Sequence, residues 1–132
     1  MVTEENCMKM IFEMFPEFKN SNHWKEHCTF WGNEKSGLGN EMMTFDGFIA
    51  DELNKKIPSV DLKKVFSLIE LFMLKGNQTV RNVAATCFLE NLLNYDSAGR
   101  IKASSFIHFL GPESREYCKA WDEFTGVKTE GL

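Results

Sequence analysis

The sequence predicts an all-α domain, and three observations carry that prediction. Apolar residues recur at helical spacing in successive segments, strand-like alternation never persists, and the breaks between segments are rich in glycine, proline and asparagine. The most informative stretch runs from Ser59 to Tyr95, where two apolar-rich segments meet across Lys75-Gly76-Asn77. Each is too hydrophobic to stand alone in water. Together they read as a packed pair, the unit of an irregular helical bundle or of a HEAT-like helical-repeat arrangement. About six or seven helices in one domain, residues 1–132, are expected.

Taken in order, Met8, Ile11, Phe12 and Phe15 place a first helix over residues 4–15, with Thr3 as its N-cap. Pro16 ends it and can open the next helix as its first residue. There Trp24, His27, Cys28 and Trp31 fall on one face, which predicts burial, and Gly32 ends the segment. Gly32, Gly37 and Gly39 with Asn33, Ser36 and Asn40 predict a flexible loop over 32–43. Thr44 is then expected to cap a helix carrying Phe45, Phe48, Ile49 and Leu53 that stops near Ile57-Pro58.

Ser59 is expected to cap the fourth helix, whose Leu62, Val65, Phe66, Ile69, Phe72 and Met73 form a wide apolar stripe. Asn77 caps the fifth, with Val80, Val83, Ala84, Cys87, Phe88 and Leu92 inward. Asp96-Ser97-Ala98-Gly99 is a turn by composition, and residues 101–110 suit a short helix. Pro112 starts the last helix, which by spacing buries Tyr117, Ala120, Trp121 and Phe124 and stops at Gly126. The tail 127–132 is expected to be loose.

Bulk properties narrow the class. With 43% hydrophobic and 26% charged residues the chain is globular rather than disordered. Its 132 residues can bury about two-thirds of the unfolded surface without staples. No apolar run approaches the roughly 20 residues of a bilayer span, and the acidic N-terminus lacks the order of a signal peptide, so a soluble cytoplasmic protein is expected. Cys7, Cys28, Cys87 and Cys118 are far apart, which suits reduced thiols. A net charge of −4 and scattered basic residues argue against nucleic acid as a partner. A basic protein suits that charge better, although a mildly acidic balance is ordinary and is explained by solubility alone.

Residue chemistry offers four candidate sites. His23 and His27 lie one helical turn apart, the spacing of two zinc ligands, with Cys28 beside them. The residue after His23 is Trp24 rather than the glutamate of a metalloprotease, so His27 packed against the tryptophans is the reading favoured. A small metal-dependent enzyme or sensor built on His23, His27 and Cys28 stays as an alternative. Glu70 and Glu90 sit inside apolar runs and could pair as acid and base. With no nucleophile or phosphate loop beside them, they are better read as topping polar stripes. Asn82, Thr86, Glu90 and Asn94, four apart, make a polar ridge beside Arg81, suited to partner binding or, equally, to Asn82 and Glu90 satisfying backbone groups at a nearby turn. Ser36-Gly37-Leu38-Gly39-Asn40 lacks the Lys-Ser/Thr of a phosphate loop and reads as a connector.

The run from Val80 to Leu93, VRNVAATCFLENLL, and the run from Phe109 to Phe124, FLGPESREYCKAWDEF, resemble an uncharacterised family of small bacterial helical proteins of HEAT-like kind. Similar domains occur among immunity proteins that neutralise polymorphic toxins. The resemblance covers about the last two-thirds of the chain and implies a binding protein rather than an enzyme, with no cofactor. The expectation is a non-enzymatic protein-interaction domain, an immunity protein blocking a basic toxin through Glu70, Arg81, Asn82, Thr86, Glu90 and Asn94. The other alternative is a helical adaptor or regulatory homodimer, for which the apolar fourth helix would supply the contact surface.

Overall fold

The computed structural model describes all residues, 1–132, and is all-helical. The elements are α1 (Glu4–Met14), α2 (Pro16–Lys19), α3 (Asn22–Trp31), α4 (Leu38–Leu53), α5 (Leu62–Lys75), α6 (Gln78–Val83), α7 (Glu90–Ser97) and α8 (Pro112–Thr125). A π-helical segment, Ala84–Leu89, joins α6 to α7 without a break. Two 3₁₀ turns, Ala103–Ser105 and Ile107–Phe109, lead into α8. No helix is long and apolar enough to cross a membrane.

One core organises the domain. It gathers 30 buried apolar residues from α1, α2, α4, α5, the α6–α7 rod, the 3₁₀ turns and α8. Phenylalanines carry much of it: Phe15, Phe18, Phe45, Phe66, Phe72, Phe88 and Phe106 are fully buried. Ring contacts run through the centre, Phe45 to Phe88 at 5.9 Å and Phe88 to Phe66 at 5.7 Å. α3 alone buries no residue completely and joins the core through Trp24. Because the other helices share one apolar interior, the arrangement is a bundle.

Local signals explain many of the boundaries. Asn6 accepts from the Thr3 N–H at 2.8 Å at the head of α1, and Pro16 occupies the first turn of α2. Asn77 caps α6 by accepting from the Val80 N–H at 3.0 Å. The N-terminus is anchored there as well. The Val2 N–H donates to the Lys75 carbonyl and the Asn77 N–H to the Val2 carbonyl, both at 2.8 Å. Gly76 is required at this crossing, since a Cβ would lie 2.4 Å from the Phe72 carbonyl oxygen.

Elsewhere tertiary contacts overrule the local signal. The expected loop 32–43 ends early, because α4 starts at Leu38 and so places Leu38 and Met42 against the core. Thr44 is therefore inside α4 rather than its cap, and its hydroxyl donates to the Asn40 carbonyl. Ser59 does not cap α5. Asp61 does, accepting from the Lys64 N–H, while Ser59 donates N–H (2.6 Å) and hydroxyl (2.5 Å) to the buried Glu52 carboxylate. The expected second helix is two helices, α2 and α3, with Ser21 capping the second.

The expected loose tail is held at three points. Thr129 is buried and donates N–H and hydroxyl to Asp122, Arg115 donates to the Gly131 carbonyl, and Leu132 packs on the core.

Candidate interaction surface

The sequence-predicted ridge divides when the chain folds. Glu70 leaves it altogether. Its carboxylate turns to the head of α8 and accepts the Glu113 and Ser114 N–H groups, each at 2.9 Å, and the Ser114 hydroxyl at 2.8 Å. α8 begins with Gly111 and Pro112 and has no capping side chain of its own, so Glu70 supplies the cap from α5. A Cβ on Gly111 would sit 2.5 Å from the Glu70 carboxyl carbon, so glycine at 111 is what admits it. Glu70 therefore serves the fold and is not part of an acidic outer surface.

Glu90 is half-buried and accepts the Tyr117 hydroxyl, joining the α6–α7 rod to α8. Burial first, then this bond, pushes the Tyr117 phenol up from its ordinary value. Arg81, Asn82, Thr86 and Asn94 remain on the surface. Asn82 accepts from Gln78, Arg81 donates to Gln78, and Thr86 bonds back to the Asn82 carbonyl. The π segment interrupts this row, with the Glu90 N–H reaching five residues back to Ala85. What is left of the ridge is polar and short of charge.

His23 and His27 diverge as well. The His23 ring pairs with Asp51 at 2.8 Å. His27 stacks on Trp24 at 4.6 Å and contacts two hydroxyls, Thr44 at Nδ1 (2.7 Å) and Ser36 at Nε2 (3.0 Å). Since the Thr44 hydroxyl donates to Asn40, it accepts from the Nδ1–H, and in the neutral ring Nε2 is left to accept from the Ser36 hydroxyl. Burial holds His27 below its ordinary pKa, which favours this neutral form. The ring thus pins the α3–α4 loop. Cys28 is exposed, contrary to the buried face expected of α3, and no cluster of three metal-ligating side chains occurs.

Spacing fails most informatively on α8. Tyr117, Ala120, Trp121 and Phe124 repeat at core intervals, yet Ala120 is exposed, Phe124 is 78% exposed, and Tyr117 and Trp121 are only half-buried. Ser114 and Cys118 are the fully buried residues of α8, with Tyr117 and Trp121 packed against the core beside them, so it is Ala120 and Phe124 that turn outward. Trp121 and Phe124 meet in a tilted contact with centroids 5.7 Å apart, and Val127 just beyond the helix end is exposed as well. Exposed Glu113, Glu116 and Glu123 also lie on α8, while Lys119 is 3.6 Å from Glu116 and Arg115 is committed to backbone carbonyls. Sequence periodicity found the stripe but could not tell a buried stripe from an outward one.

Fold and surface together define a small all-helical bundle in which Phe124 stands exposed beside half-buried Trp121 near the end of α8, among exposed carboxylates. The chain belongs to the family described as a domain of unknown function, DUF7674, whose model matches residues 8–126. No curated protein and no solved structure matches the chain.

Proposed function

We propose that this protein is a non-enzymatic interaction domain whose α8 face, Trp121 and Phe124 with Ala120, docks a partner protein. The observation that carries the reading is Phe124, 78% exposed and tilted against the half-buried ring of Trp121, on a helix whose spacing would suit a core. Single exposed apolar residues are ordinary, whereas a contiguous aromatic patch with a polar rim is the anatomy of a contact surface. The surrounding carboxylates and the net charge of −4 favour an occupant that presents apolar side chains among basic ones. In its narrow form, supported by the resemblance to immunity proteins, the occupant is a basic toxin whose active surface is covered. The ridge residues Asn82, Thr86 and Asn94 then form a flank, and Glu90 supports it through Tyr117.

Affinity capture with the tagged protein and with Phe124→Asp, at low and moderate salt, tests this. A single stoichiometric protein held by the wild type, weakened by salt and lost by the variant is the expected result. Retention of the same protein by the variant, or capture of none by the wild type, overturns it.

A further inference from the structure

A second concave feature lies between α3 and the loop that leads into α4. It is a groove of about 360 Å³, and Trp24, His27, Cys28, Trp31, Ser36 and Glu41 line it. Three aromatic rings follow one another along α3, Trp24 to His27 at 4.6 Å and His27 to Trp31 at 6.3 Å. Glu41, on the first turn of α4, is half-buried and has neither an ion pair nor a hydrogen-bond partner. Lys35 also borders the groove but is in no ion pair.

An unpaired carboxylate next to indole rings has one natural complement. A cation recovers the charge interaction that desolvation makes costly, and the negative face of Trp31 attracts it too, whereas Trp24 is stacked by His27 and packed against Phe12 and Phe18. His27, which the hydroxyls of Thr44 and Ser36 satisfy as a neutral ring, adds no positive charge, and the groove's own cation, Lys35, is exposed at its rim.

We infer that this groove receives a lysine or arginine side chain presented by a partner polypeptide, with Glu41 as counter-ion and Trp31 as its aromatic wall. A protein-borne side chain fits better than a free amine because the groove is open to solvent along the loop, whereas small-molecule sites enclose most of their ligand. Phe30, 81% exposed and in edge contact with Trp31, offers apolar ground beside the groove for the rest of such a chain. The inference rests on the reading of the protein as an interaction domain, but on a surface separate from α8.

The test reads the groove directly. Indole N–H resonances of Trp24, Trp31 and Trp121 are followed by NMR during titration with N-acetyl-lysine amide, N-acetyl-arginine amide, N-acetyl-norleucine amide and tetramethylammonium. The wild type is expected to show saturable shifts at Trp31, not at Trp121, with the two cationic amino-acid derivatives. Glu41→Gln is expected to weaken them roughly fivefold or more. Absence of saturation, equal binding by the Gln variant, equal shifts with norleucine, or binding of tetramethylammonium alone would each overturn the inference. Since Phe124→Asp does not touch this groove, failure here and failure of the α8 reading are separable.

Discussion

Replacing Glu70 by alanine separates a capping role from a partner-facing one. In the fold its carboxylate receives two backbone N–H groups and the Ser114 hydroxyl, and Ser114 is 1% exposed. Losing the cap of a helix costs about 1 kcal/mol, and leaving buried donors of Ser114 unpartnered adds about 1–3 kcal/mol. The expected loss is therefore about 2–4 kcal/mol, a fall in melting temperature of about 6–15 °C for a domain of this size. Glu70→Gln keeps an acceptor but loses the charge that favours a helix N-terminus, so a loss of about 1 kcal/mol is expected. Urea denaturation of Glu70→Ala, Ser114→Ala and the double variant completes a cycle whose coupling should exceed about 0.5 kcal/mol. If Glu70→Ala melts within about 2 °C of the wild type, or the two substitutions simply add, the capping assignment is refuted.

Two further outcomes follow from buried groups. Asp46 is wholly buried on α4 with neither carboxyl oxygen hydrogen-bonded, and burial holds its pKa well above the ordinary range despite the opposing charge of Arg100. Below the ordinary carboxyl pKa both folded and unfolded states carry the proton; above it the unfolded chain releases it first, so stability falls as pH rises. Asp46→Asn, which cannot ionise, is therefore expected to melt higher than the wild type at pH 7, with the gap closing by pH 4; a gap independent of pH would contradict this. Among the thiols, exposed Cys28 should react first with a disulfide reagent at pH 8, whereas burial pushes Cys7 and Cys118 up to about 12 and keeps them silent until denaturant is added. Rapid titration of all four in the native protein would contradict the packing.

Fold class, the Pro16 and Asn77 boundaries and most of the core were legible in the chain, because helical periodicity and caps act over one or two turns. Phe45, Phe66, Phe72 and Phe88 were all placed on apolar stripes, and all are buried. Tertiary structure decided which of several adequate local choices prevailed. Ser59 and Asp61 are both good caps, and Ser59 was drawn off by Glu52. Thr44 could begin a helix, but extending α4 back to Leu38 buries more apolar surface.

The candidate sites show the same division more sharply. Sequence spacing identified Glu70 and Glu90 as carboxylates among apolar residues. Only the approach of α8 showed one capping a helix and the other joined to Tyr117. A stripe of tyrosine, tryptophan and phenylalanine marks a face, and its spacing is the same whether that face meets a neighbouring helix or water. The exposure of Phe124 on α8 and the unpaired Glu41 are thus products of packing, since burial and pairing depend on distant residues that no local pattern specifies.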